Sequence, residues 1–239
     1  MDYCSIKQYL EKDLARVNAL MRTSLSSDIQ LLDKTNMSLL EHSGKQLRPV
    51  LALLAARACS GGFVTEDTIH YAVATELLHN ATLLHDDVAD DSPTRRGRPT
   101  VMSLLGGRAS VLLGDYWLVK AIDNVLVNKT SSSEVIKVFS RTLADLAEGE
   151  ILQLQKADLG DTAENDYYRI IFNKTASLFV TSAESAAISV SASAEKMKAV
   201  KSYAEYLGIA FQIRDDILDV TSTSQVLGKP INSDEKNHK

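Results

Sequence analysis

Apolar residues recur at helical spacing along nearly the whole chain, and this periodicity constrains the fold more than any other feature. Only 11 glycines and 4 prolines interrupt the 239 residues, so turns are few and helices are favoured. No stretch alternates apolar and polar residues as a half-buried strand would. The pattern predicts helices over residues 4–24, 27–43, 47–60, 65–90, 100–106, 108–128, 132–156, 163–190 and 194–220.

The breaks between these segments are short and polar, and none has the composition of a linker between domains. We therefore predict one all-α domain over residues 1–239. The tail LGKPINSDEKNHK is polar and stops without a following helix. It suggests either a disordered terminus or a chain truncated at its C-terminus.

The charge pattern argues against several classes of function. A net charge of −5 disfavours a nucleic-acid-binding protein, which normally carries a basic excess. The N-terminal stretch MDYCSIKQYLEKDLARV has interspersed charges in place of the apolar core of a signal peptide. No apolar run is long enough to span a bilayer. We expect a cytoplasmic protein with no transmembrane segment and no nucleic-acid partner.

Four aspartates crowd into the stretch LLHDDVADDSPTRRG. On a helix that turns about 100° per residue, His79, Asp86 and Asp90 fall within one sector, away from most of the apolar side chains. Such a sector is usually the solvated face of an amphipathic helix. For this helix taken alone, that explanation is as good as a functional one.

A second acidic cluster, FQIRDDILDV, is harder to explain in this way. Gln212, Asp216 and Asp219 point together, with Asp215 one step round, while apolar residues occupy nearly every other direction. Carboxylates in so apolar a setting would be costly unless a cation neutralised them. Two such clusters facing one cavity would suit Mg²⁺, which takes one or two carboxylates and completes its shell with water and phosphate oxygens.

Cationic residues accompany the two acidic clusters and predict a polyanionic ligand. Two of them lie at a predicted helix start, where backbone N–H groups also attract anions. The paired arginines that follow the first cluster suit bidentate phosphate binding. Each cation alone would be an ordinary solvated charge, so the prediction depends on their joint occurrence. They are Lys45, Arg48, Arg95, Arg96, Lys174 and Lys229.

A series of motifs resembles, in order and roughly in spacing, the signatures of the trans-isoprenyl diphosphate synthases, or polyprenyl synthetases. The motifs are GKQLRP, ELLHNATLLHDDVADDSPTRRGRPT, GDYWL, GEILQLQ, KTASLF and FQIRDDILDV…GKP. The resemblance runs from about residue 40 to the end of the chain. It implies an all-α, isoprenoid-synthase-type helical bundle around a central apolar cavity. It also implies a homodimeric, Mg²⁺-dependent prenyltransferase that adds isopentenyl diphosphate to an allylic prenyl diphosphate.

The resemblance implies a role for each matching residue. The metal ligands would be Asp86, Asp87, Asp90, Asp215, Asp216 and Asp219. The diphosphate of isopentenyl diphosphate would contact Lys45, Arg48, His79 and Arg96. The allylic diphosphate would contact Arg95, Lys174, Thr175, Gln212 and Lys229. The residues expected to act in catalysis are Asp86, Asp87, Asp90, Lys174 and Asp215.

The residues beneath the first acidic motif bear on the length of the product. Ala81 and Thr82 lie roughly one helical turn, or about 6–8 Å, before Asp86. The growing prenyl chain would run from the metal site into the apolar interior, past these two residues. A bulky aromatic at either position would stop it, but both residues are small, so we predict a product longer than C15. Alternatively, the two small residues only allow close helix packing, and Tyr116 or Trp117 closes the tunnel.

Other functions remain open. The chain could be a short-chain farnesyl or geranylgeranyl diphosphate synthase, a class I terpene cyclase, or a non-catalytic subunit of a prenyl synthase. A cyclase would need no site for a second diphosphate, and a non-catalytic subunit can lose aspartates from its motifs. The intact DDILD and GKQLRP motifs favour a synthase over both.

Overall fold

The computed structural model describes residues 2–127 and 133–221 of the chain, and these are almost entirely helical. The helices are α1 (Tyr3–Tyr9), α2 (Glu11–Leu25), α3 (Gln30–Glu41), α4 (Leu47–Ser60), α5 (Glu66–Ala89), α6 (Val101–Leu105), α7 (Gly107–Leu126), α8 (Ser133–Leu159), α9 (Glu164–Ile171), α10 (Ser177–Ser189) and α11 (Ala194–Thr221). A π-helical segment, Phe172–Ala176, joins α9 to α10. The predicted all-α fold is confirmed. None of the described helices is long and apolar enough to cross a membrane.

Helix α5 lies at the centre of the bundle. It packs against α4, α7, α10 and α2, and its buried residues include Tyr71, Leu77 and Leu78. Burial of each such large apolar side chain stabilises the fold by roughly 1.5–3 kcal/mol. The helix begins at a capping box in which Thr65 and Thr68 satisfy each other's backbone N–H groups. The central packing and the fixed start hold the acidic motif at the other end of α5 in a defined place.

Within the described residues, two of the predicted helices are interrupted. The segment predicted over residues 4–24 is two helices, because the backbone leaves helical geometry at Leu10, whose side chain is fully buried. The segment predicted over residues 163–190 contains the π-helical stretch between α9 and α10. Helical periodicity predicts the helices themselves, but it does not distinguish α from π geometry within a continuous run.

The break SPTRRGRP forms a small β-hairpin that the sequence did not predict. Its antiparallel strands are β1 (Thr94–Arg95) and β2 (Arg98–Pro99). The two residues between them, Arg96 and Gly97, have positive φ angles of 53° and 73°, as a type I′ turn requires. Two-residue strands are too short to show alternation, so the turn residues were the only available signal.

Candidate active site

Arg48 lies in the first turn of α4 and is almost completely buried. Its guanidinium sits over the ring of Phe179, 4.9 Å from the ring centre, which is a favourable cation–π geometry. Burial lowers the pKa of Arg48 to about 10, although the nearby Glu76 carboxylate opposes this. Among the described residues, no group forms a hydrogen bond with the Nε atom of Arg48. A buried guanidinium with an N–H group that is not hydrogen-bonded can donate to a bound anion.

Glu76 and His79 lie one turn apart on α5 and share the surroundings of Arg48. Glu76 is only 3% exposed, and burial raises the pKa of its carboxyl group while Arg48 and Arg96 oppose that rise. Burial also lowers the pKa of His79 well below its usual range, and the arginines nearby lower it further. His79 is therefore neutral at physiological pH and can take part in hydrogen bonds without adding charge.

The type I′ turn directs Arg96 back onto the loop before α4. A Cβ atom at Gly44 would lie 2.5–2.7 Å from three guanidinium atoms of Arg96, so that arginine occupies the space that a side chain at position 44 would need. Lys45 is exposed next to it, and its carbonyl oxygen accepts a hydrogen bond from Tyr3. Four predicted contacts to isopentenyl diphosphate, at positions 45, 48, 79 and 96, thus lie around the junction of α4, α5 and the hairpin.

The first acidic motif ends α5. Asp86 is half-buried, and burial together with the Glu150 carboxylate raises its pKa to about 6, against the influence of Lys174 and Arg95. Asp87 is 4% exposed and accepts a 2.7 Å hydrogen bond from Nε of Arg95. Burial raises the pKa of Asp87 as well. Asp90 caps the C-terminus of the helix and is half-buried.

Lys174 projects from the π-helical segment towards α8. Its Nζ atom lies 2.7 Å from Oε1 of Glu150 and donates a 2.5 Å hydrogen bond to Oε1 of Gln153. A Cβ atom at Gly149 would lie 2.8 Å from both Cβ of Asn173 and Cγ of Lys174. The missing side chain at position 149 therefore allows α8 to approach this segment closely enough to hold the lysine.

A directed series of hydrogen bonds connects the π-helical segment to the second acidic motif on α11. The Thr175 hydroxyl donates to Oε1 of Gln212 at 2.6 Å, and Nε2 of Gln212 donates to Oδ1 of Asp216 at 2.7 Å. The Tyr167 hydroxyl on α9 donates to Oδ2 of Asp216 at 2.6 Å. Burial and this hydrogen bond raise the pKa of Tyr167, so the phenol keeps its proton.

The second acidic motif is more open than the sequence predicted. Ile217 is 56% exposed and Val220 75% exposed, and Asp215 is exposed too. Asp219 differs, with only 1% exposed. The prediction of an apolar setting around this motif was therefore wrong for the described residues. Apolar residues around a helix show which faces can be buried, but not which faces another element covers.

The two acidic motifs border the same segment of the protein. Asp86 at the end of α5 interacts electrostatically with Lys174, and the next residue, Thr175, begins the hydrogen bonds that reach Asp216. The π-helical segment packs on both α8 and α11. π-Helical turns of this kind occur frequently at functional sites. The structure therefore connects both motifs through the lysine and threonine that the sequence assigned to an anion site.

The first motif has the chemistry of a hard-cation site. Besides burial, the carboxylates of Glu150 and Asp90 raise the pKa of Asp86, a like-charge repulsion that a divalent cation would relieve. Among residues 2–127 and 133–221, no three His, Cys, Asp or Glu side chains form a ready-made metal cluster. Mg²⁺ does not need one, because it binds one or two carboxylates together with waters and phosphate oxygens. The residues fit Mg²⁺ bound with a diphosphate.

The residues predicted to set product length differ in their surroundings. Ala81 is 1% exposed and belongs to the hydrophobic core. Thr82 is half-buried, and its hydroxyl donates to the carbonyl oxygen of His79 at 2.8 Å. Trp117 is also in the core, where its Nε1 donates to Oδ1 of Asn36. A cavity of about 290 Å³ lies elsewhere, between α2, α3 and the start of α4, and includes Asn18, Met21 and Gln46.

Some of the residues around the site were not assigned from the sequence. Glu76, Glu150, Gln153 and Tyr167 all contact or influence a predicted site residue. Glu76 carried one usable signal, since it lies three residues before His79 and therefore on the same face of the helix. The predicted contact Lys229 lies outside the described residues.

This chain is similar in sequence to polyprenyl synthetases. The family model described as "Polyprenyl synthetase" matches residues 29–239. An octaprenyl diphosphate synthase of Escherichia coli (strain K12) is 38% identical over 98% of this chain and 71% of the relative.

Solved structures agree with the sequence comparison. A decaprenyl diphosphate synthase from Rhodobacter capsulatus superposes with a TM-score of 0.88 at 39% identity, covering 98% of this chain and 71% of that one. A polyprenyl synthase from Caulobacter crescentus CB15, complexed with calcium and isoprenyl diphosphate, gives a TM-score of 0.90 at 34% identity, covering 98% and 70%. The chain thus spans roughly seven-tenths of the length of these relatives.

Proposed function

This chain belongs to the polyprenyl synthetase family and is a polyprenyl diphosphate synthase, and we propose that it joins isopentenyl diphosphate to an allylic prenyl diphosphate with a product longer than C15. The resemblance noted in the sequence and the assignment as a prenyltransferase are both confirmed. The observation that carries the proposal is the position of Lys174 and Thr175 between the two acidic motifs.

The allylic diphosphate is bound on the side of the π-helical segment. Lys174 supplies a positive charge that Glu150 and Gln153 hold in place, and Arg95 adds a guanidinium at the end of α5. Thr175 and Gln212 border the same place, and Lys229 is assigned to the same diphosphate. These groups stabilise the negative charge that builds on the diphosphate as its bond to carbon breaks.

Isopentenyl diphosphate is bound at the junction of α4, α5 and the hairpin. Arg48, Arg96 and Lys45 supply the charge, and the neutral His79 supplies a hydrogen-bonding group. The carbon–oxygen bond of the allylic diphosphate ionises first. The double bond of isopentenyl diphosphate then attacks the allylic cation, and a proton is lost from the condensed product to the released diphosphate. Holding the two substrates side by side converts a bimolecular reaction into an effectively unimolecular one.

Mg²⁺ is the proposed cofactor. The carboxylates that would hold it are Asp86, Asp87 and Asp90 on α5, with Asp215, Asp216 and Asp219 on α11. Asp86, Asp87, Asp90 and Asp215, together with Lys174, are the residues proposed to act in catalysis. When bound, Mg²⁺ neutralises the diphosphate and makes it a better leaving group. The calcium in the complex of the Caulobacter crescentus relative supports a divalent ion for this chain.

The proposed product length follows from small residues on α5. Ala81 and Thr82, five and four residues before Asp86 on α5, have small side chains, and the relatives named as octaprenyl and decaprenyl diphosphate synthases support a long product. A short-chain product of farnesyl or geranylgeranyl length is the second candidate, favoured by the complete burial of Ala81 in the core. A long product requires that the growing prenyl chain can pass Ala81, whereas a short product requires that it cannot.

A homodimer is part of the proposal because α7 presents an apolar face to solvent. Exposed residues on it recur at helical spacing: Leu112, Val119, Ile122 and Leu126 are 59%, 54%, 40% and 53% exposed. Trp117, on another face of the same helix, is buried. Exposed apolar patches of this kind mark subunit contacts, and sedimentation analysis of the full chain measures the association directly.

We further propose that residues 1–239 act as a single domain in the cytoplasm, where both water-soluble diphosphate substrates are accessible. Cell fractionation tests the location. The rival activities are a class I terpene cyclase and a non-catalytic subunit. Both are disfavoured, because the chain has the cationic residues proposed to bind a second diphosphate around Arg48 and all six motif aspartates.

The deciding experiment is incubation of the chain with isopentenyl diphosphate, an allylic diphosphate and Mg²⁺, followed by sizing of the prenyl products. Elongated products that require both diphosphates establish the synthase. Cyclic or hydrolysed products from the allylic substrate alone would establish a cyclase instead. Absence of any product from a folded chain would refute the proposed activity and favour a non-catalytic subunit.

A further inference from the structure

We propose that Tyr167 is a positioning residue whose hydroxyl fixes the orientation of the Asp216 carboxylate for a divalent cation. The inference rests on the proposed function, since it takes Asp216 as a metal ligand. Tyr167 lies on α9, outside both acidic motifs, and its hydroxyl donates a 2.6 Å hydrogen bond to Oδ2 of Asp216. The residue has no other assigned role in the reaction.

The Asp216 carboxylate is held at both of its oxygens. Tyr167 donates to Oδ2 and Gln212 donates to Oδ1, so rotation of the carboxylate would break at least one hydrogen bond. An ionised carboxylate has about four acceptor positions. Each oxygen therefore keeps capacity for a cation after accepting one hydrogen bond, and the two donors restrict where that capacity lies.

The orientation of Gln212 is itself fixed. Because the Thr175 hydroxyl donates to Oε1 of Gln212, the amide group must present its Nε2 atom to Asp216. Three elements, α9, the π-helical segment and α11, thus converge on one carboxylate. Of the two donors, Gln212 is also assigned to the allylic diphosphate, whereas Tyr167 has no assigned contact with a substrate. Substitution of Tyr167 therefore tests the positioning of Asp216 without removing a proposed substrate contact.

Groups that hydrogen-bond a metal ligand commonly control metal affinity, and their loss typically costs about 10–100-fold. A simpler possibility is that Tyr167 only braces α9 against α11. A brace would alter thermal stability but not cation affinity, so the two roles give different measurements.

The neighbouring Tyr168 provides a matched control. It is 43% exposed, and its ring meets that of Tyr167 edge-on with centroids 5.8 Å apart. Tyr167→Phe removes only the hydroxyl and keeps this ring contact, so the helix packing is retained. Tyr168→Phe makes the same chemical change one residue away.

The experiment is titration of the full chain with Mn²⁺ in the presence of inorganic diphosphate, followed by electron paramagnetic resonance of the free ion. Tyr167→Phe is expected to weaken Mn²⁺ binding about tenfold, while Tyr168→Phe stays within about twofold of the wild type. In turnover, Tyr167→Phe should raise the Mg²⁺ concentration for half-maximal rate and leave the KM for isopentenyl diphosphate unchanged.

Equal Mn²⁺ affinity in the two variants overturns the inference, and so does a lowered melting temperature of Tyr167→Phe without a change in affinity. These outcomes are separable from failure of the proposed function. A wild-type chain that makes no prenyl product but binds Mn²⁺ in a Tyr167-dependent way refutes the synthase and supports the positioning role.

Discussion

The Nε atom of Arg95 donates a 2.7 Å hydrogen bond to Oδ1 of Asp87, which joins the hairpin to the end of α5. Asp87 is buried whereas Arg95 is partly exposed. If the pair is broken, water can solvate the guanidinium but not the buried carboxylate, so the cost falls mainly on Asp87. Two functions therefore meet in Arg95: it stabilises a buried carboxylate, and it is assigned to the allylic diphosphate.

Arg95→Gln is expected to destabilise the fold, because it leaves the buried Asp87 carboxylate without its charged donor. A hydrogen bond to a charged group contributes about 1.5–3 kcal/mol, and the loss should appear in urea unfolding at neutral pH. Arg98→Gln, across the hairpin at an exposed position, is the control and should change stability by less than about 0.5 kcal/mol. Equal losses in both variants would contradict this role for Arg95.

Gly44→Ala is expected to raise the KM for isopentenyl diphosphate about tenfold with little change in stability. A Cβ atom there would lie 2.5–2.7 Å from guanidinium atoms of Arg96. Because these atoms end a flexible side chain, the fold accommodates the methyl group while the arginine moves. Loss of one charge-assisted contact, about 1.5 kcal/mol, corresponds to roughly that factor.

Gly107→Ala is the matched control for the Gly44 variant, because a Cβ atom at Gly107 would meet its nearest neighbour, Val88, at 3.4 Å, an ordinary contact. Steady-state kinetics of both variants checks the expectation. An unchanged KM in Gly44→Ala would show that the position of Arg96 on the loop does not matter for binding.

His79 should make the protein more sensitive to acid. Burial lowers its pKa in the folded state, so below the unfolded value of about 6.5 the unfolded chain binds the proton more readily. The stability that neutral His79 contributes is present above that pH and falls as the pH drops. His79→Gln should therefore flatten the decrease in unfolding free energy as the pH falls below about 6.5.

Glu76 provides a contrast for the His79 variant, because burial raises its folded pKa. The contribution of Glu76 to the free energy of unfolding changes with pH in the opposite sense to that of His79. It decreases as the pH rises through the raised pKa of Glu76. Glu76→Gln should remove that fall. Denaturant titrations at several pH values measure both effects, and parallel pH profiles for the two variants would contradict these assignments.

Ala81→Phe should shorten the prenyl product, because an aromatic ring one turn below Asp86 would block a growing chain. Ala81 is 1% exposed, so the added bulk is also expected to destabilise the core by about 1–3 kcal/mol. Product sizing by chromatography measures the first effect. Ala58→Phe, at an exposed position on α4, is the control and should leave the product unchanged. An unchanged product in Ala81→Phe would show that position 81 does not limit the length of the prenyl chain.

The sequence predicts the helices of this protein well, because its apolar periodicity is strong and its helix ends carry recognisable residues. Thr65 before α5 is such a signal, and its capping box is present. The motifs also predict that particular residues lie close together. Gln212 and Asp216, predicted to point together on one helix, are in direct hydrogen-bond contact.

Contacts between distant segments could not be predicted in this way. The local apolar periodicity predicts neither the ion pair between Lys174 and Glu150 nor the hydrogen bond from Tyr167 to Asp216. Both depend on how helices far apart in sequence pack together. The open surroundings of Ile217 were mispredicted for the same reason, since composition does not reveal whether a partner element covers a face.

The π-helical segment has a consequence for the phase of the helix that contains it. A turn closed by i→i+5 hydrogen bonds holds one more residue than an α-turn, so the residues after it are rotated by about 100° relative to an uninterrupted α-helix. Removing one residue from Phe172–Ala176 would restore regular winding. Either Lys174 or the buried face of α10 would then point the wrong way, so the extra residue reconciles the position of Lys174, proposed to bind an anion, with the packing of α10.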